Sequence, residues 1–570
     1  MHEPFSNPGE SPETQDKLTD YASPLLLAAL LLQPASRATQ TLAGPKVVTS
    51  ASVDCSSLQS IVRDLIKPGM EDQEKVLALY NWFRRTIYHY RMMGADRRDF
   101  LRAINSYGCL LCGSQAANFR ALLNAAGFKA RVVSANAGGE MGHTIVEVWY
   151  QHRWHVIDTM TSFYVMTRGA DRTIASMADL AQDPTLVTNA ETEGRSGPAF
   201  LYCIRHKEDV NAEYALRKKM MHDGMVQDIA WTLFIFWPNA EGQPQTVRTF
   251  WTIGPKYARY RNADDAYGEH YEPGLLDITL KPHEEYVRLW NNVGRWMENG
   301  NYDTVGPFHT CGLADEQDPI NFKHYEPYRK NKTAFGIDAY RYYANGWLDW
   351  EPRGSEILLG SKLSNLTLEK KSGMLAVLNA AKTASWVMPI KSPYAVVESR
   401  LDLEFQGARP HSKVTVVCQP EDDAYNHGLR PQMKTFAARP GPLTVAFDVG
   451  SRKDVSGGVF SYRLIVKLSG GSCQFAVRRI RTVFMLNMHS LPFFEPGLNT
   501  VTVSKARPGS LKDSRLVVTY NWAEGAQWKN QRTDRRVVRS FPAQYTVRVN
   551  GPKMPRMEKL VMKLVPRREA

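Results

Sequence analysis

The sequence predicts an α+β protein: a core of helices and short strands over residues 46–185, an aromatic-rich extension over 186–355 whose pattern settles no fold, and a β-sandwich over 356–570. Three observations carry this. Apolar residues recur at helical spacing in two N-terminal stretches. Short β-rich runs follow at once. Beyond about residue 356, alternating runs separated by Gly, Pro, Asn and Asp take over, which is the patterning of a sandwich.

The elements follow in order. Residues 1–45 read as a leader rich in Pro, Ser and Thr. From Glu71 to about Tyr90, Val76, Leu77, Tyr80, Phe83 and Ile87 form one helical face. A second helix is expected from Cys112 to about Ala126, with Ala116, Phe119, Leu123 and Ala126 as its apolar stripe and Gly127 as the glycine that ends it. Strands are expected at Ala130–Ala135, His143–Tyr150 and Arg153–Ile157. In the aromatic-rich stretch, Phe200–Ile204 and Trp231–Trp237 read as strands and Tyr286–Trp296 as a short helix. The sandwich strands are read at Leu401–Phe405, Lys413–Val417, Leu443–Phe447, Tyr462–Val466, Arg515–Tyr520 and Tyr545–Val549.

Composition bounds the function. With 43% hydrophobic and 23% charged residues over 570 positions, the chain has the make-up of a globular protein of two to four domains. The only apolar run near the start, Leu25–Leu32, is too short to span a bilayer. It is followed by small residues at Pro34-Ala35-Ser36, as a signal-peptide core would be, but the stretch before it is long and acidic. Both a secreted or periplasmic destination and an ordinary leader fit, and export is the preferred expectation. The net charge of +13 admits an anionic polymer as partner, or only a solvated basic surface. The cationic positions Arg535, Arg536, Arg539, Arg548, Lys553, Arg556, Lys559 and Lys563 leave the same two readings, and no motif supports nucleic-acid binding.

Seven cysteines, at 55, 109, 112, 203, 311, 418 and 473, are too sparse for a disulfide scaffold, and their odd number leaves one thiol unpaired in a monomer. Cys418 and Cys473 are candidates for a bridge in an oxidising compartment. Cys109 and Cys112 have metal-ligand spacing but no second pair to complete a site, and His270, His283, His309 and His324 lie at no metal-ligand spacing. No metal and no cofactor is implied.

A thiol is a nucleophile only when ionised, and both a helix N-terminus and a nearby imidazole favour the thiolate. Cys112 opens its helix. If Gln151-His152 forms the two-residue turn of a hairpin, Tyr150 pairs with Arg153 and Ile145 lies opposite Asp158. His143 is then diagonal to Asp158 on one face, at about 7–8 Å. A carboxylate there would fix the imidazole tautomer and turn its other nitrogen to the thiol. Glu147 shares that face and is read as an ion-pair partner, and His155 as structural.

The stretches Tyr107-Gly-Cys-Leu-Leu-Cys-Gly-Ser-Gln-Ala116, Phe119-Arg-Ala-Leu-Leu123, Gly127-Phe-Lys-Ala-Arg-Val-Val133, His143-Thr-Ile-Val-Glu-Val148 and Trp154-His-Val-Ile-Asp-Thr159 resemble the transglutaminase-like core. The resemblance covers roughly residues 55–165. It implies a papain-type α+β fold and thiol chemistry on amides, with Cys112 as nucleophile, His143 as base and Asp158 as the group orienting the base. Cys112 rather than Cys109 matches the family by its distance to Gly127 and its Ala at the fourth position after it. Thr144-Ile145 depart from the family's small residue and Trp after the histidine.

Three functions stay open. One is a thiol enzyme acting by hydrolysis, deamidation or acyl transfer on amide bonds of an extracellular or cell-surface protein or glycan polymer. Another is a polysaccharide-processing enzyme on the same scaffold, such as a β-eliminating lyase of acidic glycans. The third is a non-catalytic binder of surface glycans. Aromatics stack on sugars as readily as they fill cores, so Trp290, Trp296, Tyr342 and Trp347 are candidate substrate-binding residues or packing residues.

Overall fold

The computed structural model describes residues 41–89, 99–110, 112–137, 141–159, 164–183, 185–188, 193–195, 237–238, 244–245, 259–261, 278–290, 295–298, 341–407, 412–421, 429–450, 459–471, 473–506, 509–525 and 528–569. The leader up to residue 40, the strand expected at Phe200–Ile204 and most of that at Trp231–Trp237 lie outside them.

Three helices build the N-terminal core: α1 (Leu58–Leu65), α2 (Asp72–Thr86) and α3 (Cys112–Ala125). Helix α1 starts at a reciprocal capping box of Ser57 and Ser60, which satisfies two amides the helix cannot. In α2, Leu77 is only partly buried, whereas Val76, Tyr80 and Phe83 are buried as expected and Leu79, not read on that face, is buried with them. They meet the buried Ala116, Phe119, Leu122 and Leu123 of α3, with the rings of Phe83 and Phe119 5.4 Å apart. Each such fully buried side chain is worth roughly 1.5–3 kcal/mol, so the pair of helices is held by its shared face and not by intrinsic propensity. Helix α3 ends where Gly127 takes φ +87°, and Phe128 N–H donates to the Leu123 carbonyl at 3.0 Å.

Next comes a sheet in which β1 (Lys129–Ala137), β2 (Met141–Tyr150) and β3 (Arg153–Ile157) are antiparallel neighbours, with the three residues Arg259–Arg261 on the outer edge of β1. The β2–β3 hairpin has the two-residue turn that its sequence predicts. Gln151 and His152 both take positive φ, 48° and 58°, the conformation of a tight turn matched to strand twist.

The remainder is β-rich, in antiparallel sheets. Strands β4 (Glu284–Leu289), β5 (Gly346–Trp350), β6 (Ala384–Lys391), β7 (Ala395–Gln406), β8 (Lys413–Pro420), β9 (Ser461–Ser469), β10 (Gln474–Met485), β11 (Gly497–Ser504), β12 (Ser514–Glu524) and β13 (Arg556–Pro566) are its main members. The largest sheet runs β10–β5–β4–β13–β12 at its centre, and β7 pairs along the other side of β10. A five-stranded sheet contains β6, β9 and β8 in that order. All six strand runs read from the C-terminal sequence lie inside strands of the structure.

One expectation is corrected. Tyr286–Trp296 is not a helix: its first part is strand β4, bonded to β5 on one side and β13 on the other. A short apolar run is ambiguous in periodicity, and here two partners remote in sequence take up the backbone hydrogen bonds. Strands β4 and β5 are therefore built into the same sheet as the C-terminal strands.

One continuous apolar cluster joins the helices to the β-rich part, from Phe83 and Phe119 through Trp386, Phe405 and Phe475. Within it the two large sheets touch: the Tyr462 hydroxyl of β9 lies 2.9 Å from Ser399 Oγ of β7 and 2.7 Å from Thr482 Oγ1 of β10. A second cluster gathers Tyr286, Trp290, Phe484, Phe494, Tyr520 and Leu560. Cys418 and Cys473 are buried and unbridged, and burial pushes the Cys473 thiol up to about 11. No helix among the described residues is long and apolar enough to cross a membrane.

Replacing Tyr462 by Phe removes its two bonds to Ser399 and Thr482 and leaves those two hydroxyls buried. The expected loss is about 1–3 kcal/mol, read as a lower urea midpoint at unchanged slope. An unchanged midpoint would show that the Tyr462 hydroxyl adds nothing to the register of the sheets.

Candidate active site

The candidate residues lie at the start of α3 and at the open end of the β2–β3 hairpin. Before α3, residues Ala103–Tyr107 form a π-helical turn, closed by Gly108 N–H donating to the Ala103 carbonyl at 2.8 Å. Gly108 takes φ +65°, a conformation that turns the chain sharply and costs glycine little. The chain then pairs in parallel with the short strand that follows α2, Tyr88 opposite Cys109 and His89 opposite Leu110. Cys112 is the first residue of α3. That is the place where unsatisfied amides and the helix dipole favour a negative charge. The buried Gln115, one turn on, donates from Nε2 to the Leu110 carbonyl at 3.1 Å and ties the helix to the strand before it.

On the sheet, His143 in β2 pairs with Ala135 in β1. Strand β3 pairs with β2 from Tyr150↔Arg153 to Val146↔Ile157. The pairing ends there, so Asp158 directly follows the last paired residue of β3 and His143 lies three residues before the last paired residue of β2. Asp158 is 1% exposed. The side chains of Cys112 and His143 lie outside the described residues.

The sheet around these positions is stiffened by an ion pair between the half-buried Arg131 and the buried Glu147. Arg131 donates from Nη2 to Glu147 at 2.6 Å and from Nε at 2.9 Å, and its guanidinium lies 3.8 Å from the centre of the Trp154 ring. The other Glu147 oxygen accepts from Met177 N–H at 3.1 Å, so the carboxylate bonds the segment after the hairpin back onto the sheet. His155 is fully buried and stacked on the Tyr150 ring at 3.6 Å. Its ring nitrogens face the Ile174 and Tyr150 carbonyls. Burial, outweighing those carbonyls, holds its imidazole below the usual histidine value, which is the environment of a structural residue.

The aromatic candidates separate. Trp290 is 4% exposed and packs in the second core cluster. Trp347 is half-buried on β5, with the Arg481 guanidinium 4.3 Å from its ring centre. Trp296 and Tyr342 lie in a two-stranded antiparallel pair in which Trp296 pairs with Tyr343 and Met297 with Tyr342, and their side chains lie outside the described residues. Among the described residues, no group of three or more His, Cys, Asp or Glu is placed to hold a metal ion.

Sequence reasoning missed the support beneath the π-turn, where Asn487 packs against Gly108. Local pattern carries no signal for a contact between positions some 380 residues apart. The Asn105-Ser106 pair, two small polar residues before Gly108, was the only hint.

Residues 59–159 match the family model of the transglutaminase-like superfamily, and this stretch is a transglutaminase-like core. The match includes Cys112, His143 and Asp158. No curated protein is similar enough in sequence to match the chain. Among solved structures, the chain is similar at 13% identity to the glycoside hydrolase domain of Endo-D from Streptococcus pneumoniae R6, with a TM-score of 0.15. That likeness covers 38% of this chain and 37% of the other.

Replacing Glu147 by Leu should cost about 1–3 kcal/mol through the lost charge-assisted bonds. Hydrogen exchange at the Met177 amide should accelerate more than at amides of α2. Unchanged protection at Met177 would show that the segment is held by other contacts.

Proposed function

We propose that the chain is a thiol enzyme acting on amide bonds, with Cys112 as nucleophile, His143 as base and Asp158 as the group that orients His143. The family match over residues 59–159 carries this reading. Two features support it: Cys112 opens a helix, and the hairpin register brings Asp158 one step past the Val146↔Ile157 pair.

The chemistry divides one difficult step into two. His143 takes the thiol proton, and the Cys112 sulfur attacks the amide carbonyl carbon, forming a tetrahedral oxyanion. Amides at the start of α3 are suited to stabilise that charge. The C–N bond then breaks, His143 returns the proton to the departing amine, and a thioester remains. Water, deprotonated by His143, releases an acid, whereas a second amine yields a new amide. Both routes restore the thiol.

The reading extends to the substrate as a cell-surface or extracellular polymer, with the β-rich region taken as a β-sandwich that engages it. Exposed Arg535, Arg536, Arg539, Arg548, Lys553 and Arg556 favour an anionic polymer.

The test is activity on protein and peptide amides, read as ammonia release, peptide cleavage and incorporation of a fluorescent primary amine. Cys112→Ala should reduce all three by about a thousandfold or more. Asp158→Asn, folded to the same circular dichroism spectrum, should lose about a hundredfold or more. Full activity in Cys112→Ala would overturn the mechanism.

A further inference from the structure

The segment that follows β10 leaves the β-rich region and lodges under the turn that delivers Cys112. Asn487 is its centre. The Asn487 backbone N–H donates to the Asn105 carbonyl at 2.8 Å. Its side-chain Nδ2 donates to two further carbonyls, Thr86 at 2.9 Å and Ile104 at 2.7 Å. Its Oδ1 accepts from His489 N–H at 3.1 Å, capping the short turn Met488–Ser490. Both amide protons are thus committed to the N-terminal core, and the oxygen holds the segment in shape.

The two carbonyls mark the ends of two chain segments. Thr86 is the last residue of α2, and Ile104 lies in the π-turn. Their continuations, Tyr88–His89 and Cys109–Leu110, run side by side as the parallel pair that leads to Cys112. One amide group therefore sets the separation of the two segments just before the helix starts. The fit is tight: a Cβ on Gly108 would lie 2.7 Å from Asn487 Cγ. A second strut runs alongside. The Ser106 hydroxyl donates to the Met485 carbonyl at 3.1 Å and accepts from Ala395 N–H at 2.9 Å, joining the π-turn to β10 and β7. Asn487, Ser106, Thr86 and Ile104 are all 5% exposed or less, so water does not substitute for these bonds.

We infer that Asn487 is a positioning residue for Cys112, through which the β-rich region holds the start of α3 in register. The inference rests on the thiol-enzyme reading above. It makes the C-terminal β-rich region part of the reactive site's frame rather than an appended module. Aspartate at 487 has the same shape but presents oxygen where the Thr86 and Ile104 carbonyls need donors, so the turn must shift.

The test uses the full chain. Wild type, Asn487→Asp, Ser106→Ala and Tyr462→Phe are alkylated with iodoacetamide from acidic to alkaline pH. Modification of Cys112 is read by peptide mass spectrometry, and melting temperature is recorded in parallel. In wild type, Cys112 should titrate below the value of about 8.5 for a free cysteine. Asn487→Asp should slow its alkylation at neutral pH by about tenfold or more and move its midpoint upward, since displacement by about an ångström has effects of that size. Ser106→Ala, the milder change, should move both in the same direction. Tyr462→Phe, destabilising but at a side chain bonded to neither Asn487 nor the π-turn, should leave the pH profile of Cys112 unchanged. If Cys112 of the wild type titrates like an ordinary cysteine, the thiol-enzyme reading itself falls. If wild-type Cys112 is activated while the Asn487→Asp and Ser106→Ala profiles both superimpose on it, the positioning role alone is overturned.

Discussion

A carbonyl oxygen shut away from water must find a donor, and an unpaired one costs as much as a lost hydrogen bond. Thr86 and Ile104 are both buried, and a single side-chain amide, 401 and 383 residues downstream of them, serves both of their carbonyls. Much of the N-terminal arrangement follows. With those two carbonyls tied together, the end of α2 and the π-turn lie close enough for their continuations to pair in parallel, and α3 then begins at Cys112. The apolar cluster that runs from Phe83 and Phe119 into the β-rich part gives the joint its strength. The hydrogen bonds give it its register.

The same division of labour recurs elsewhere. Between the two large sheets, Trp386, Phe405 and Phe475 are buried in one apolar cluster, while the Tyr462 hydroxyl adds directional bonds to Ser399 and Thr482. On the helical side, Glu147 contributes little apolar area, yet it fastens the segment around Met177 to the sheet by two partners of different kinds. Apolar surface is non-directional, so polar groups of fixed geometry decide which packing is adopted.

For a thiol site this has a functional side. A helix N-terminus helps an anion only within about its first turn, so small shifts in where α3 starts change what Cys112 experiences. The elements setting that start, Gly108, Ser106 and Asn487, come from two distant parts of the chain. The β-rich region therefore contributes to the frame of the transglutaminase-like core as well as forming most of the described residues.

The sequence by itself determined the local elements and their order. Helical spacing placed α2 and α3 to within a few residues, Gly127 marked the end of α3, and Gln151-His152 defined a turn from which the pairing of Tyr150 with Arg153 followed. Cys112 at a helix start and Asp158 beside the end of β3 were legible for the same reason: each depends on neighbours within about twenty residues. What only the tertiary structure decided were the pairings between remote segments. Tyr286 and Val287 are in a strand because β5 and β13 flank them, Trp290 is a core residue because Phe484 and Leu560 close over that cluster, and Asn487 reaches the π-turn because the β-rich sheets deliver it there. Local pattern encodes conformational preference over a few residues. Partners hundreds of positions away are selected by burial and by the satisfaction of buried polar groups, and these exist only once the chain has folded.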